Sequence, residues 1–240
     1  MANSTAAAGV TSAPLNVFAR FIGIITAPRA TFESVVAHPK ILGMLLLTTV
    51  ISAFGAALPM TTEAGKQSTI DKQVQTMESF GMKVDDEAYA RLQKGTAILP
   101  YTTGGSVLVI TPIVVAIFSG IFFAIYSGAM GGEARFKQIY AVVVHAGVIT
   151  ALGQLFTGPL NYFRGSVSSP TSLGGLLPML DEKSFMGRFA GMIDLFAVWW
   201  VLVLAMGLAV LYRRRTQPTA ITLFAIYAVI AVCAAAFMSR

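Results

Sequence analysis

The membrane character of this chain is decided by residues 190–238, which read AGMIDLFAVWWVLVLAMGLAVLYRRRTQPTAITLFAIYAVIAVCAAAFM. Two apolar runs, 190–212 and 219–238, flank three consecutive arginines, Arg213, Arg214 and Arg215. Each run is close to the ~20 residues that a helix needs to cross ~30 Å of hydrocarbon. Because arginines resist crossing a bilayer, the pattern predicts two membrane helices joined by a short basic turn in the cytoplasm.

Three further apolar runs lie upstream, at 41–60, 106–126 and 139–156. Barrel strands would alternate apolar and polar residues over about ten positions, and these runs do not alternate. In lipid the backbone must satisfy its own hydrogen bonds, so the runs are expected to be helices. The sequence therefore predicts an all-α integral membrane protein, with a five-helix transmembrane domain over residues 41–240.

Residues 1–40 are predicted to form a cytoplasmic tail with short interfacial helices. The first sixteen residues lack the basic start of a cleaved signal peptide. The helical spacing of the following apolar residues, with Arg20 off their stripe, is typical of an amphipathic helix lying in the membrane surface: Val17, Phe18, Phe21, Ile22 and Ile25. Pro28 can begin a second short helix that ends at Pro39. A loop packed against the bundle is the alternative.

The long connection 61–105 carries two helical patterns separated by Gly81, which predicts a helical hairpin outside the cytoplasm. Asp85, Asp86 and Glu87 suggest a cation site at first sight, but carboxylates at a helix start also cap free N–H groups, and we favour capping. In the second connection, 157–189, the apolar piece 173–180 is too short to cross a membrane.

Charge fixes the expected orientation. With a cytoplasmic amino terminus, the short inside segments hold a compact set of basic residues: Arg20, Arg29, Lys40, Arg135, Lys137 and Arg213–Arg215. Basic residues on the other side are spread over long loops that are also rich in acids, and such loops carry little topological weight. We expect the amino terminus inside, the carboxyl terminus outside, and a location in the cytoplasmic membrane.

Two titratable groups fall inside the predicted spans, His145 and Asp194. Such groups are candidates for a functional site. At 1.5 Å per residue the two side chains differ in depth by ~15 Å, so they are not expected to pair. Gln154 is the expected neighbour of Asp194, and Ser119 lies at the depth of His145. A neutral histidine with one hydrogen bond between helices is the simpler interpretation, and a titrating or substrate-facing histidine is the alternative.

Small residues predict where helices pack. Gly187 and Gly191 form a Gly-x-x-x-Gly pair, and Ala228 and Ala231 belong to a stripe of alanines on the last span. Pro112 is expected to kink span two. No cofactor or metal site is expected, since Cys233 stands alone. The net charge of +6 comes from basic residues at span ends rather than from a nucleic-acid motif, so no nucleic-acid partner is expected.

Two segments resemble a known family. The segment PRATFESVVAHPKILGMLLLTTVISA (28–53) is similar to the entry into the first span of bacterial members of the Yip (Ypt-interacting protein) family, and GGEARFKQIYAVVVHAG (131–147) resembles the family's connection from span two to span three. The resemblance implies five helices and a cytoplasmic amino terminus. Eukaryotic relatives bind Rab-type GTPases and carry a Tyr-Gly-Pro signature ahead of the first span. Here Phe32-Glu33-Ser34 stands instead, so a Rab partner is not expected.

Function is less constrained than fold. The chain contains no catalytic motif such as His-Glu-x-x-His or Gly-x-Ser-x-Gly, so we do not expect an enzyme. The small-residue faces and the amino-terminal helices favour a non-catalytic adaptor, scaffold or assembly factor for membrane proteins or lipids. Its expected partners are the bilayer, other membrane proteins or a second copy. The alternative is a transporter or transporter subunit with a path lined by spans two to four, with Pro112 as a possible helix break.

Overall fold

The computed structural model describes residues 15–129, 131–177, 179–181 and 184–238. The tail predicted for residues 1–14 lies outside this part of the chain. Within the described residues the secondary structure is helical, apart from one isolated antiparallel bridge between Ser172 and Asp194. The helices are α1 Val17–Thr26, α2 Pro28–Ala37, α3 Leu42–Ala57, α4 Glu63–Ser79, α5 Asp86–Lys94, α6 Leu99–Phe123, α7 Phe136–Arg164, α8 Leu173–Leu176, α9 Phe185–Met192, α10 Leu195–Leu211 and α11 Thr216–Met238. The all-helical prediction is thus confirmed for this part.

Four helical segments are long and apolar enough to cross a membrane within the described residues: Leu42–Thr61, Asp86–Gly128, Phe136–Arg164 and Thr216–Phe237. The predicted fourth span, 190–212, is not one continuous helix. Ile193 and Asp194 interrupt it, so that α9 ends at Met192 and α10 begins at Leu195 with 17 residues. An apolar run is identified by composition, whereas this break comes from a side-chain cap that composition does not reveal.

Helix ends also differ from the hydropathy limits. Helix α6 begins at Leu99 rather than near residue 106, with Pro100 in its first turn, where the missing N–H costs nothing. Helix α7 continues past Phe156 and ends at Arg164, where it is capped by Gly165, whose φ of 58° suits a glycine cap. The second connection is correspondingly shorter, and α8 covers only four residues of the apolar piece 173–180.

The centre of the bundle is α7, which packs against α3, α6 and α10. Helices α3 and α7 approach closely at two glycines. A Cβ on Gly55 would lie 2.6 Å from the backbone oxygen of Gln154, and one on Gly158 would lie 2.6 Å from the backbone oxygen of Gly55. Only the absence of side chains allows this spacing. By contrast, α6 and α11 leave most of their apolar surface exposed.

The amino-terminal helices are part of the bundle. Phe32 and Val35 of α2 are fully buried, and a Cβ on Gly207 of α10 would lie 2.9 Å from the Phe32 ring. In α1 the outer residues Phe18 and Ile22 are 69% and 60% exposed, while Ile24 is buried. One apolar face of α1 is therefore exposed, and the other face packs against the protein.

Helices α4 and α5 are joined by a turn in which Gly81 has a φ of 77°. The Gln67 amide donates to the Tyr89 hydroxyl across the two helices at 2.8 Å. Asp85 accepts a hydrogen bond from the Ala88 N–H at 2.8 Å and caps α5, which confirms the capping interpretation of this acidic segment.

Candidate functional site

Asp194 lies in the break between α9 and α10. Its carboxylate accepts hydrogen bonds from the backbone N–H groups of Phe196 and Ala197, at 2.8 and 3.3 Å, and so caps α10. The hydroxyls of Ser169 and Thr171 donate to the same carboxylate, each at 2.6 Å. Four donors compensate the charge of a partly buried carboxylate. Asp194 is thereby bound to the connection that precedes α8.

Backbone bonds strengthen this junction, which we call the Asp194 junction (residues 169–173 and 192–195). The Leu173 N–H donates to the Ile193 carbonyl at 2.8 Å, and the Leu195 N–H donates to the Thr171 carbonyl at 3.1 Å. The Tyr227 hydroxyl of α11 donates to the carbonyl of Met192. The exposed backbone at the break is thus paired with a loop and a neighbouring helix, as a helix interruption near lipid requires.

The predicted neighbour of Asp194 is placed elsewhere. Gln154 lies on α7 and borders a cavity between helices, while the Asp194 carboxylate accepts its hydrogen bonds from Ser169, Thr171 and the backbone of residues 196–197. Sequence depth alone suggested Gln154, because both residues lie near the same end of their helices. The junction loop comes closer because it folds back over the start of α10.

His145 is fully buried on α7. Its Nδ1 lies 2.7 Å from the Ala141 carbonyl oxygen one turn earlier; since a carbonyl only accepts, Nδ1 carries the proton. Nε2 is buried and has no partner within the described residues. Ser119 bonds to its own helix as well, with Oγ donating to the Val115 carbonyl at 2.6 Å. The structure therefore does not join His145 and Ser119 by a hydrogen bond; each bonds within its own helix.

Arg20 is buried rather than at the exposed surface, with 2% of its area accessible. Nε donates to the Leu15 carbonyl at 3.1 Å and Nη2 donates to the His38 carbonyl at 3.0 Å. Leu15 precedes α1 and His38 follows α2, so one guanidinium joins the start of the first helix to the end of the second. A cation is also favourable at the carboxyl end of α2.

The other basic residues named from the sequence are exposed. Arg29 lies 3.8 Å from Glu33 on the surface of α2. Arg213, Arg214 and Arg215 form the turn between α10 and α11, and Arg213 has a positive φ of 51°. Next to them the Tyr212 hydroxyl is 2.9 Å from Ser127, and the Tyr212 ring stacks on that of Tyr126. The arginine turn therefore lies beside the turn that joins α6 to α7.

The small residues take different positions. Gly187 and Gly191 face α8, where a Cβ on Gly174 would lie 3.0 Å from the Gly191 Cα. On α11, Ala231 is buried and Ala228 is exposed. The buried stripe of α11 follows an i, i+4 order, which differs from the alanine stripe proposed from sequence: Thr219, Leu223, Ala231 and Ala235.

A cavity of about 330 Å³ lies between α3, α6 and α7 in the apolar part of the bundle. Five of its lining residues carry polar side chains, which sequence reasoning did not group together: Thr48, Ser52, Thr111, Thr150 and Gln154. The sequence signal for this group was two pairs at i, i+4 spacing: Thr48 with Ser52, and Thr150 with Gln154. Residues at this spacing share a helix face. None of the lining residues is titratable, so the cavity offers hydrogen bonds rather than acid–base chemistry.

Within the described residues, no group of three or more His, Cys, Asp or Glu side chains converges as a metal site would require. Cys233 is exposed on α11. The polar features of the described bundle are therefore the Asp194 junction, the buried Arg20 and His145, and the cavity of hydroxyl and amide groups.

The chain is similar to proteins of one family over nearly its whole length. A model of the Yip1 domain matches residues 22–238. The chain is also 23% identical over 190 residues to the "Membrane protein YknW" of Bacillus subtilis (strain 168), an alignment that covers 78% of this chain and 75% of that protein. No solved structure matches. Because the domain match spans most of its residues, this protein belongs to the Yip1 domain family, as its sequence segments indicated.

Proposed function

We propose that this protein is a non-catalytic scaffold of the bacterial cytoplasmic membrane, which binds a helix of another membrane protein along α6. The observation that supports the proposal is the exposure of α6. Although it packs against α3 and α7 on one side, large apolar residues stay uncovered along its length: Leu108, Val109, Ile110, Ile113, Val114, Ile117, Phe118 and Ile121.

Small residues on α6 and its continuation support helix docking rather than lipid contact alone. Ala116, Gly120, Ala124 and Gly128 follow one another at intervals of four. A Cβ built on Gly120 or Gly128 would meet no atom within 4 Å, so the space outside these glycines is open. Small residues at this spacing let two helix backbones approach in a membrane. A partner helix can therefore pack closely against this side of α6.

The proposal includes a topology of five crossings with the amino terminus in the cytoplasm. Helix α10 supplies the extra crossing: its 17 residues span ~26 Å, slightly less than the ~30 Å hydrocarbon core. The α4–α5 pair is then an extracytoplasmic hairpin. The contact of Tyr212 with Ser127 supports this orientation, since it brings the arginine turn and the basic α6–α7 connection to one end of the bundle.

Site-specific photocrosslinking in living cells tests the scaffold proposal. A photoreactive phenylalanine analogue replaces Ile121, on the exposed face of α6, and in a second strain Ile230, on the exposed face of α11. We expect an adduct of defined mass from position 121 and none of that mass from position 230. Mass spectrometry of the adduct identifies the partner, including a second copy. Identical patterns at both positions, or lipid adducts alone, would contradict a docking face on α6.

The cavity between α3, α6 and α7 supports a second candidate function, passage of a small polar solute. Thr111 precedes Pro112, which interrupts the hydrogen bonding of α6 beside the cavity. Irregular backbone next to a polar cavity is common in transporters. The path differs from the one expected from sequence, because α3 contributes and α10 supplies only Trp200.

Solute flux tests this second function. Proteoliposomes containing the protein are screened against small neutral and zwitterionic solutes, and any flux is measured again with Thr150→Val. This nearly isosteric change removes a hydroxyl from the cavity wall. If the solute passes through this cavity, its flux should fall at least about tenfold, which corresponds to the loss of one hydrogen bond. Thr222→Val, on the exposed side of α11, is the matched control. Flux unaffected by Thr150→Val would exclude this cavity as the path.

A further inference from the structure

A second cavity, of about 230 Å³, lies outside the apolar bundle, beside the Asp194 junction. We call it the α4–α9 pocket. Helix α4 forms one wall, the loop before α8 forms the base, and α8 with α9 forms the other wall. Its lining residues are Lys72, Gln75, Thr76, Ser79, Ser168, Ser169, Ser172, Gly174, Gly175, Gly187, Arg188 and Gly191.

The lining charge is positive. Lys72 reaches the pocket from α4 and Arg188 from α9, and the described lining contains no carboxylate. Asp71 and Glu78 border a neighbouring cavity that shares Lys72, so part of the lysine charge is balanced there. Asp194, behind Ser169, is already bound by four donors. Arg188 is therefore the cation most available to an anion in the pocket.

Most of the pocket's hydroxyl donors are already used within the protein, whereas one guanidinium nitrogen is not. Several hydroxyls bond to nearby backbone or to Asp194: Thr76, Ser79, Ser169 and Ser172. In contrast, Nη1 of Arg188 is buried and has no hydrogen-bond partner among the described residues. A buried guanidinium nitrogen without a partner is costly, and a bound anion would remove that cost. A guanidinium also presents paired N–H groups that match two oxygens of a phosphate.

Glycines set the shape of the pocket. The close approach of Gly174 to Gly191 brings α8 against α9. A Cβ on Gly191, however, would meet no atom within 4 Å. Since Gly191 lines the pocket, a larger side chain at this position can fill the space without displacing its neighbours. A substitution at Gly191 can therefore block the pocket without changing its charge.

The helices that form one wall of the pocket also expose apolar residues. On α8, α9 and the segment between them, these large apolar side chains are exposed: Leu173, Leu176, Leu177, Met179, Phe185 and Met186. Exposed apolar groups on the elements of a polar site are typical of protein surfaces that lie at a membrane interface. A phosphate that enters this pocket can therefore carry acyl chains, which would lie against these apolar side chains.

We propose that the α4–α9 pocket binds the phosphate group of an anionic phospholipid, with Arg188 as the principal ligand and Lys72 as a second cation. The proposal goes beyond the scaffold function and stands independently of it, because it depends on neither the α6 face nor the orientation of the chain. Free phosphate is the other source of the same chemistry, and the test separates the two.

The test uses the full-length protein, delipidated in a neutral detergent. Native mass spectrometry counts bound dioctanoyl phosphatidylglycerol over a concentration series, and a parallel series uses inorganic phosphate at constant ionic strength. We expect one tightly bound lipid, and an affinity at least about tenfold lower in Arg188→Gln, the loss of one charge-assisted hydrogen bond. Gly191→Leu should lower the affinity similarly while keeping both cations. Lys94→Gln, an equal charge change on exposed α5, should leave it unchanged.

Circular dichroism and gel filtration confirm folding of each variant, and Gly191→Leu keeps the test decisive if Arg188→Gln misfolds. Binding of inorganic phosphate that depends on Arg188, without lipid binding, would overturn the lipid assignment. Lipid affinity that is the same in wild type, Arg188→Gln and Gly191→Leu would overturn the pocket itself. If Lys94→Gln weakened lipid binding as much as Arg188→Gln does, the lipid would be attracted by net charge alone. That result would also overturn the proposed pocket.

Discussion

At the scale of single residues, several polar side chains of the apolar helices form hydrogen bonds within their own helix. His145 and Ser119 bond to carbonyls one turn earlier in their own helices, and Asp194 bonds to the first N–H groups of the helix that it begins. Burying an unpaired polar group is expensive, and a local partner removes the cost without help from another helix. A polar residue within an apolar run therefore does not by itself indicate chemistry.

Replacing Asp194 by alanine should lower the free energy of unfolding by about 2 kcal/mol, the upper range for a helix cap, because the Ser169 and Thr171 hydroxyls lose an acceptor as well. The matched control is Asp85→Ala, which removes a cap with one bond to the exposed start of α5 and should cost at most about 1 kcal/mol. Trp199 and Trp200, in the first turns of α10, report unfolding by fluorescence in detergent. Equal decreases in the free energy of unfolding for Asp194→Ala and Asp85→Ala would show that the Ser169 and Thr171 hydrogen bonds add no stability beyond the helix cap.

Replacing Arg20 by alanine should release the amino-terminal helices. The variant loses two charge-assisted bonds, to the Leu15 and His38 carbonyls, and leaves the space of a buried side chain empty. Limited trypsin digestion in detergent should then cleave at Arg29 or Lys40 at least about tenfold faster, since a loss of about 1.4 kcal/mol already changes the open population by that factor. Ile22→Ala, at an exposed position of α1, should digest at the wild-type rate. An unchanged rate for Arg20→Ala would mean that Phe32 and Val35 alone hold these helices.

At the scale of elements, apolar composition predicted helices well and their ends poorly. The first apolar run, 41–60, agrees with α3 and its 3-10 extension to Thr61, because uncharged and mostly apolar residues continue through the whole element. Helix α6 starts earlier than its apolar run because Pro100 suits the first turn of a helix. The helix then includes residues 101–105, whose threonines and glycines are weak helix formers, so composition did not predict this start. Asp194 ends one helix and begins another within a run that looks continuous. Its partners come from the preceding loop, and the pairing of distant segments is not visible in composition.

The crossing of α3 and α7 gives an element-scale prediction. Gly55→Ala places a methyl group 2.6 Å from the Gln154 carbonyl oxygen, so the helices must separate, and unfolding should become easier by about 1–3 kcal/mol. Gly105→Ala is the control: it is also a glycine in a long apolar helix, but no atom lies within 4 Å of its Cβ, and the gain in helix propensity should leave the protein as stable or slightly more stable. Unfolding in sodium dodecyl sulfate mixtures measures both. Similar results for the two variants would place the close crossing of α3 and α7 in doubt.

At the scale of the whole molecule, α7 organises the bundle, and α1 and α2 close one of its ends. Phe32 reaches Gly207 and Val142 at that end, the arginine turn lies next to the α6–α7 turn, and the Gln138 amide donates to the Val36 carbonyl at 3.2 Å. The amino-terminal helices, both basic turns and the start of α7 therefore share one side of the bundle. Charge bias in the sequence predicted this grouping, because it assigned the same segments to the cytoplasm.

The number of crossings decides where each end of the chain lies, and α10 is the helix on which the number depends. With the proposed cytoplasmic amino terminus and with α10 crossing, Arg213–Arg215 are cytoplasmic and the carboxyl terminus is outside. Without it, α3, α6, α7 and α11 give four crossings, which places the arginine turn outside and the carboxyl terminus inside. In a Cys233→Ser background, we expect an impermeant maleimide to label Met82→Cys in intact cells and Gln217→Cys only after lysis. Alkaline phosphatase fused after Arg240 should be active. Labelling of Gln217→Cys in intact cells together with an inactive fusion would establish four crossings, and an outward arginine turn would then contradict the charge rule that orients the rest of the chain.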